Sequence, residues 1–96
     1  MADHQQTVSS NTLLRTGKGQ LMGFSITATA GAPKAIFYDN TTDSGTVIYE
    51  ANVSYLTNVT IFFPDRFAPF FTTGLYLEFT TDAGVFITAT VWWRDL

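Results

Sequence analysis

Ninety-six residues are enough for one domain with a single modest core, and not for two. Only 14% of them are charged, where an average globular protein has roughly 25%, while 46% are hydrophobic and 16% aromatic. A net charge of −3 with only five Lys and Arg argues against a nucleic-acid partner held through its phosphates, and the absence of Cys removes disulfides, thiolate metal sites and thiol catalysis.

With so few charges, much of the surface must be Thr, Ser, Asn and aromatic. Such a surface suits a protein that is covered by neighbours. Residues 1–11, MADHQQTVSSN, are polar with a single Val and cannot bury enough to fold alone, so an extended N-terminal arm is expected. They lack the basic and apolar regions of a secretory signal. His4, the only histidine, and Val8 lie in this arm, where contact with a neighbouring chain is what would hold them. No apolar run approaches the roughly 18 residues that a membrane span needs, so no membrane partner is expected.

Thr12 to Arg15 is a short apolar step, closed by the tight turn Thr16-Gly17-Lys18-Gly19. A phosphate-binding loop would need a longer Gly-rich run ending in Lys-Ser/Thr and opening a helix. A strand pattern follows instead. In Gln20 to Ala30, Met22, Phe24, Ile26 and Ala28 fall on one face and Gly23, Ser25, Thr27 and Thr29 on the other. After Gly31-Ala32-Pro33, Lys34 to Asp39 reads as the next strand; its alternation allows Ala35 and Phe37 or Ile36 and Tyr38 to face inward, and the first pair is favoured. Asp39 to Gly45 is a dense turn whose side chains can bond their own backbone. Its two acids lack the spacing of a Ca²⁺-binding loop.

Thr46 to Asn52 is a further strand, with Val47, Tyr49 and Ala51 opposite Ile48 and Glu50. In Thr57 to Phe63, Val59, Ile61 and Phe63 point inward. Pro64 to Phe71 then packs two prolines and three further phenylalanines, Phe67, Phe70 and Phe71, into eight residues. Pro excludes a central strand there, and a solvent-facing loop seldom carries so many rings. Leu75, Leu77 and Phe79 alternate with Tyr76, Glu78 and Thr80. After Thr81-Asp82-Ala83-Gly84, Val85, Ile87, Ala89, Val91 and Trp93 alternate with Phe86, Thr88, Thr90 and Trp92. Two such runs joined by a short Asp/Gly loop predict a β-hairpin.

The whole predicts an all-β chain of about seven or eight short strands. The expected fold is a single antiparallel β-sandwich, jelly-roll-like or a small barrel, over residues 12–96. No helix of useful length is expected. Phe24, Ile26, Val59, Ile61, Leu75, Leu77, Phe79, Ile87 and Val91 form the predicted core.

Catalytic chemistry has little to work with. Asp39, Asp43, Asp65 and Asp82 sit in turns, where Asp is expected for backbone reasons alone. Glu50 and Glu78 fall on outer faces. No enzyme activity, cofactor or metal is expected. Trp92 and Phe86 instead share an outer face, and aromatic planes among hydroxyls suit either a protein interface or sugar stacking.

In order, Leu13-Leu14, Thr16-Gly17-Lys18-Gly19, Phe37-Tyr38-Asp39-Asn40, Ser44-Gly45-Thr46-Val47-Ile48, Thr73-Gly74-Leu75-Tyr76 and Val91-Trp92-Trp93 resemble small all-β virion proteins of tailed bacteriophages, of the head decoration, cement or fibre-base type. The likeness spans about residues 12–93. It implies a non-enzymatic capsid decoration or cement protein on the outer surface of the virion. Such a protein binds the major capsid protein lattice, stabilises the head and forms homo-oligomers, trimers above all. The acidic balance suits an outer capsid surface better than a DNA-lined interior. The interface residues expected are Phe67, Phe70, Phe71, Phe86, Trp92, His4 and Val8. The alternative function is a glycan- or receptor-binding adhesion module of a tail fibre or baseplate.

Overall fold

Apolar alternation is realised as nine strands and one short 3-10 turn in a computed structural model that describes residues 3–53, 58–80 and 85–96. The strands are β1 (His4–Val8), β2 (Thr12–Thr16), β3 (Gly19–Ala28), β4 (Lys34–Asp39), β5 (Thr46–Asn52), β6 (Val59–Phe62), β7 (Phe70–Phe71), β8 (Gly74–Thr80) and β9 (Ile87–Asp95). Sheet A has the order β1-β9-β3-β6, with β7 also on β3; sheet B has the order β2-β8-β4-β5. All pairings are antiparallel. Because β9 runs along all of β3 on one side, β6 and β7 share its other side as two halves of one broken edge.

The two sheets bury their inner faces against each other, as a β-sandwich must. Phe24, Ile26, Leu75, Leu77, Ile87 and Val91 lie in one buried cluster, with Val59, Ile61 and Phe79 packed against it. Ala35 and Phe37 are fully buried, as their alternation predicts. The Phe24 and Phe37 rings meet across the sandwich at 5.2 Å.

Strict alternation fails at three places, each a bulge of one extra residue. The pairing shifts at Leu14 in β2, at Met22 in β3 and at Ile48 in β5. Each bulge changes which residues face inward. In β3 it brings Leu21 as well as Phe24 into the core cluster, which does not include Met22. In β5 it separates Tyr49, which packs on the core, from Val47, which is exposed. Met22 is itself buried, as expected, but outside that cluster, while the expected inward position of Val47 is corrected.

Two larger expectations are also corrected. β8 and β9 do not form a hairpin: β8 pairs with β2 and β4, and β9 with β1 and β3. The connection crosses from one sheet to the other, and its residues 81–84 lie outside those described. The two apolar faces oppose each other through the core, which produces the same alternation as side-by-side pairing. Of the expected N-terminal arm, residues 3–11 are likewise not a free segment. His4 to Val8 pair with Trp93 to Ala89, and the Asn11 side-chain oxygen accepts the Phe79 N–H at 2.8 Å. The ordering entropy of this polar stretch is offset within its own chain by a ladder of backbone bonds and by burial of Val8.

The chain crosses between sheets again from β7 to β8, and Asp39 at the end of β4 holds that corner. Its carboxylate accepts from the N–H groups of Thr72 (3.0 Å), Thr73 (2.9 Å) and Gly74 (3.4 Å), and from the Thr72 hydroxyl (3.2 Å). The Gly17 N–H, at the neighbouring β2–β3 crossing, donates to Thr73 O at 2.9 Å. Partial burial works against the Asp39 charge, but the Thr73, Thr72 and Gly74 donors outweigh it and hold its pKa below 3.8.

Truncating Leu77 to Ala should cost about 2–5 kcal/mol, read as a lower denaturant midpoint. A change below the scatter of that measurement would contradict a core position. Asp39 is ionised more readily in the folded chain than in the unfolded one. The stability it adds is therefore present above its ordinary value of 3.8 and lost as pH falls through and below that value. Asp39→Asn should lower the midpoint near neutral pH and flatten the acid limb of stability against pH. Parallel acid limbs for the two proteins would refute the staple.

Candidate functional site

The outward positions of sheet A form a flat face whose side chains line up in rows across the strands. One row runs Gln5–Trp92–Gly23–Phe62 and the next Thr7–Thr90–Ser25–Thr60. Thr88 and Thr27 stand opposite each other one step further along. Arg94, Gln20 and Phe70 close the other end.

Gly23 decides the shape of the aromatic row. A Cβ there would lie 2.5 Å from a carbon of the Phe62 ring, so only glycine lets that ring lie across the sheet. The ring then meets Trp92 at 4.9 Å, tilted by 49°. Phe62 nevertheless remains 60% exposed. The hydroxyl rows are bonded sideways. Thr7 and Thr90 hydroxyls lie 2.9 Å apart, Ser25 and Thr60 hydroxyls 3.0 Å apart, and the Asn58 side-chain oxygen accepts from Ser25 and from Thr60.

Beyond Phe62 the chain leaves the sheet. The Phe63 N–H donates to Met22 O and the Leu21 N–H to Pro69 O, which closes the base of a loop containing the 3-10 turn Asp65–Phe67. Gln20 fastens it. This fully buried amide donates from Nε2 to Asp65 O (3.0 Å) and Ala68 O (3.2 Å), and its Oε1 accepts from Arg94 Nε at 2.5 Å. Arg94 also stands 3.9 Å from the Asp65 carboxylate. A satisfied buried amide holds a loop well, because breaking its bonds strands polar atoms in the interior. The loop presents Phe67, 68% exposed, with the Arg66 guanidinium 5.3 Å from its ring centre.

Of the expected interface residues, Phe67 and Phe70 are exposed near this end of the face, and Trp92 is half-buried beside Phe62. Phe86, just before β9, is 73% exposed, the most of any phenylalanine. Three expectations are corrected. Phe71 is 1% exposed and belongs to the core cluster, since β7 turns it inward where Phe70 turns out. Val8 is also in the core cluster. His4 is exposed, but its ring stacks on Trp93 at 5.4 Å and its Nε2 bonds the Asp95 carboxylate at 2.8 Å, so its own chain holds it. Phe62 is the surface ring that sequence reasoning missed. Its outward place was implied by Ile61 and Phe63 facing in. Nothing in the sequence marked Gln20 or Gly23, whose roles depend on partners far along the chain.

Charge is distributed unevenly between the two faces. The outer side of sheet B carries the Lys34–Glu50 pair (3.2 Å) and the bond from the Tyr38 hydroxyl to Glu78 (3.1 Å). Burial first, and the Glu78 carboxylate second, raise the pKa of that phenol. Arg15 reaches Asp95 at 3.0 Å, between the sheets at the rim of the sandwich. The expected turn around Asp39 bonds itself: the Asn40 side chain donates to Ser44 O and accepts from the Thr41 N–H. Among the described residues no group of three or more His, Cys, Asp or Glu could hold a metal ion. The face of sheet A offers apolar planes and hydroxyls already bonded to one another, the makings of a contact surface.

No family model matches the chain, and no curated protein matches it.

Proposed function

We propose that this chain is a non-enzymatic structural protein of a phage virion, a decoration or cement protein on the outer capsid surface. It binds the major capsid protein lattice or another virion part and stabilises the particle. The exposed aromatic cluster on sheet A carries this reading. Phe62, Phe67 and Phe70 are each more than half exposed at one end of one face. Fully burying a Phe-sized side chain is worth about 1.5–3 kcal/mol, so a partner that covers these rings gains affinity from surface that is a liability in isolation. The low charge of the chain and its resemblance to small virion proteins support the same reading.

An adhesion module would need an open aromatic plane for a sugar ring. Phe62 leans on Trp92 at 4.9 Å and takes part of the indole's surface, while Phe62, Phe67, Phe70 and Phe86 themselves stay open, so this second reading is separated from the first by the binding test below.

The test is binding of the purified chain to phage heads that lack it, followed by co-sedimentation. The double variant Phe62→Ser, Phe70→Ser should keep its far-ultraviolet dichroism and lose binding by at least about tenfold, since each ring removed is worth more than 1.4 kcal/mol. Undiminished binding by that variant would overturn the reading. So would specific glycan binding abolished by Trp92→Ala, which would promote the adhesion alternative.

A further inference from the structure

We propose that the outer face of sheet B is a second docking surface, which takes an arginine-bearing segment of a partner protein. The inference goes beyond the reading above and uses none of the rings assigned there.

The surface follows from strand order and register. On β4 and β8 the inward positions belong to Ala35, Phe37, Leu75 and Leu77, so Lys34, Ile36, Tyr38, Tyr76 and Glu78 face out. Pairing then sets Leu13, Tyr76, Tyr38 and Val47 in one row across all four strands. Leu13 and Val47, at its two ends, are 40% and 48% exposed, and the tyrosines between them are half-buried. The next row is Glu78–Ile36–Glu50. It lies about 7 Å away, the advance of two residues along a strand. An apolar and aromatic strip thus runs beside an acidic one.

Three observations select a cation, and arginine among cations. The first is the sign of the face. Glu50, Glu78 and the turn residue Asp43 surround Tyr38, against the single ammonium of Lys34. Burial first, and then these carboxylates, raise the pKa of the phenol, as a negative potential at the ring requires. The second is an unmatched charge. Glu50 has Lys34 at 3.2 Å, whereas Glu78 has the Tyr38 hydroxyl at 3.1 Å and, among the described residues, no cation. A purely apolar partner would cover that carboxylate without a counter-ion, and an acidic one would be repelled. The third is the row of rings and aliphatic chains beside it. A guanidinium stacks on an aromatic ring, its planar fork takes a carboxylate through two bonds, and its stem lies along apolar surface. A lysine ammonium is a point charge without that fork. The strip and the carboxylate together therefore fit arginine.

Titration of the full chain with the blocked pentapeptide Arg-Leu-Arg-Leu-Arg, read by amide chemical shifts and calorimetry, tests this. The shifts should centre on Tyr38, Tyr76 and Glu78 and leave Trp92 unmoved. Glu78→Gln keeps an oxygen for the Tyr38 hydroxyl while removing the charge, and should weaken binding about tenfold. Glu50→Gln should also weaken it, and guards against a local rearrangement at Glu78. The peptide Lys-Leu-Lys-Leu-Lys should bind several-fold more weakly than its arginine counterpart. No binding at about 1 mM peptide, equal binding of the two peptides, or affinity retained by both variants overturns the proposal. The Phe62→Ser, Phe70→Ser variant should bind the arginine peptide as the wild type does. Loss of binding there would move the peptide to sheet A and overturn the proposal, while the virion reading is decided separately by binding to heads.

Discussion

The contact of Phe24 in sheet A with Phe37 in sheet B, two rings tilted by 36°, is the constraint that the remaining structure obeys. Tyr49 and Phe63 extend it, with ring centres 5.4 and 6.4 Å from Phe24. Any strand joining either sheet must turn its apolar residues toward this cluster. Where the sequence falls out of phase, a bulge restores it, as at Leu14, Met22 and Ile48. A bulge sacrifices local ladder bonding. A mis-phased strand would instead expose every core residue beyond the slip. The larger effect wins, so bulges are kept wherever alternation breaks.

That logic also separates what could be read in the sequence from what could not. Inward residues such as Ala35, Phe37, Leu75 and Leu77 were legible because burial on one face imposes a period of two. Strand partners were not. β8 and β9 carry the same alternation whether they lie side by side or face each other through the core, and the six residues between them in sequence, 81–86, allow either. β1 was illegible for the opposite reason: His4-Gln5-Gln6-Thr7 has no apolar face, and becomes a strand because β9 offers an unpaired edge. At the candidate site, Trp92 and Phe86 were readable from the position of Trp93. Phe71 was not, because the prolines before it erase the phase. Its burial depends on pairing with Gly19, a residue 52 positions away in sequence.

Gln20 links the core to the aromatic face. Pro64 and Pro69 have no N–H to give to a ladder, so the segment between them leaves the sheet. The buried amide then supplies the bonds that the sheet does not. The edge made by β6 and β7 is short and broken as a result. Exposed edges invite pairing with other chains, and interruption is a recognised protection. The hydrophobic rings of this region are thus offered on a broad face, while the neighbouring backbone is kept from adding strands without limit.

The position of β9 bears on how the protein is made. It is the last strand in order, yet it lies between β1, the first strand, and β3. Until Ile87 to Asp95 have left the ribosome, β1 has no partner, β3 lacks one of its sides, and sheet A is limited to the pairing of β3 with β6 and β7. Contacts this distant along the chain form slowly, and collapsed intermediates with open strand sides are prone to stick to one another. During synthesis the inner face of sheet B, with Phe37, Leu75 and Leu77, is therefore covered only in part, by β3 and the strands already on it, until β9 arrives.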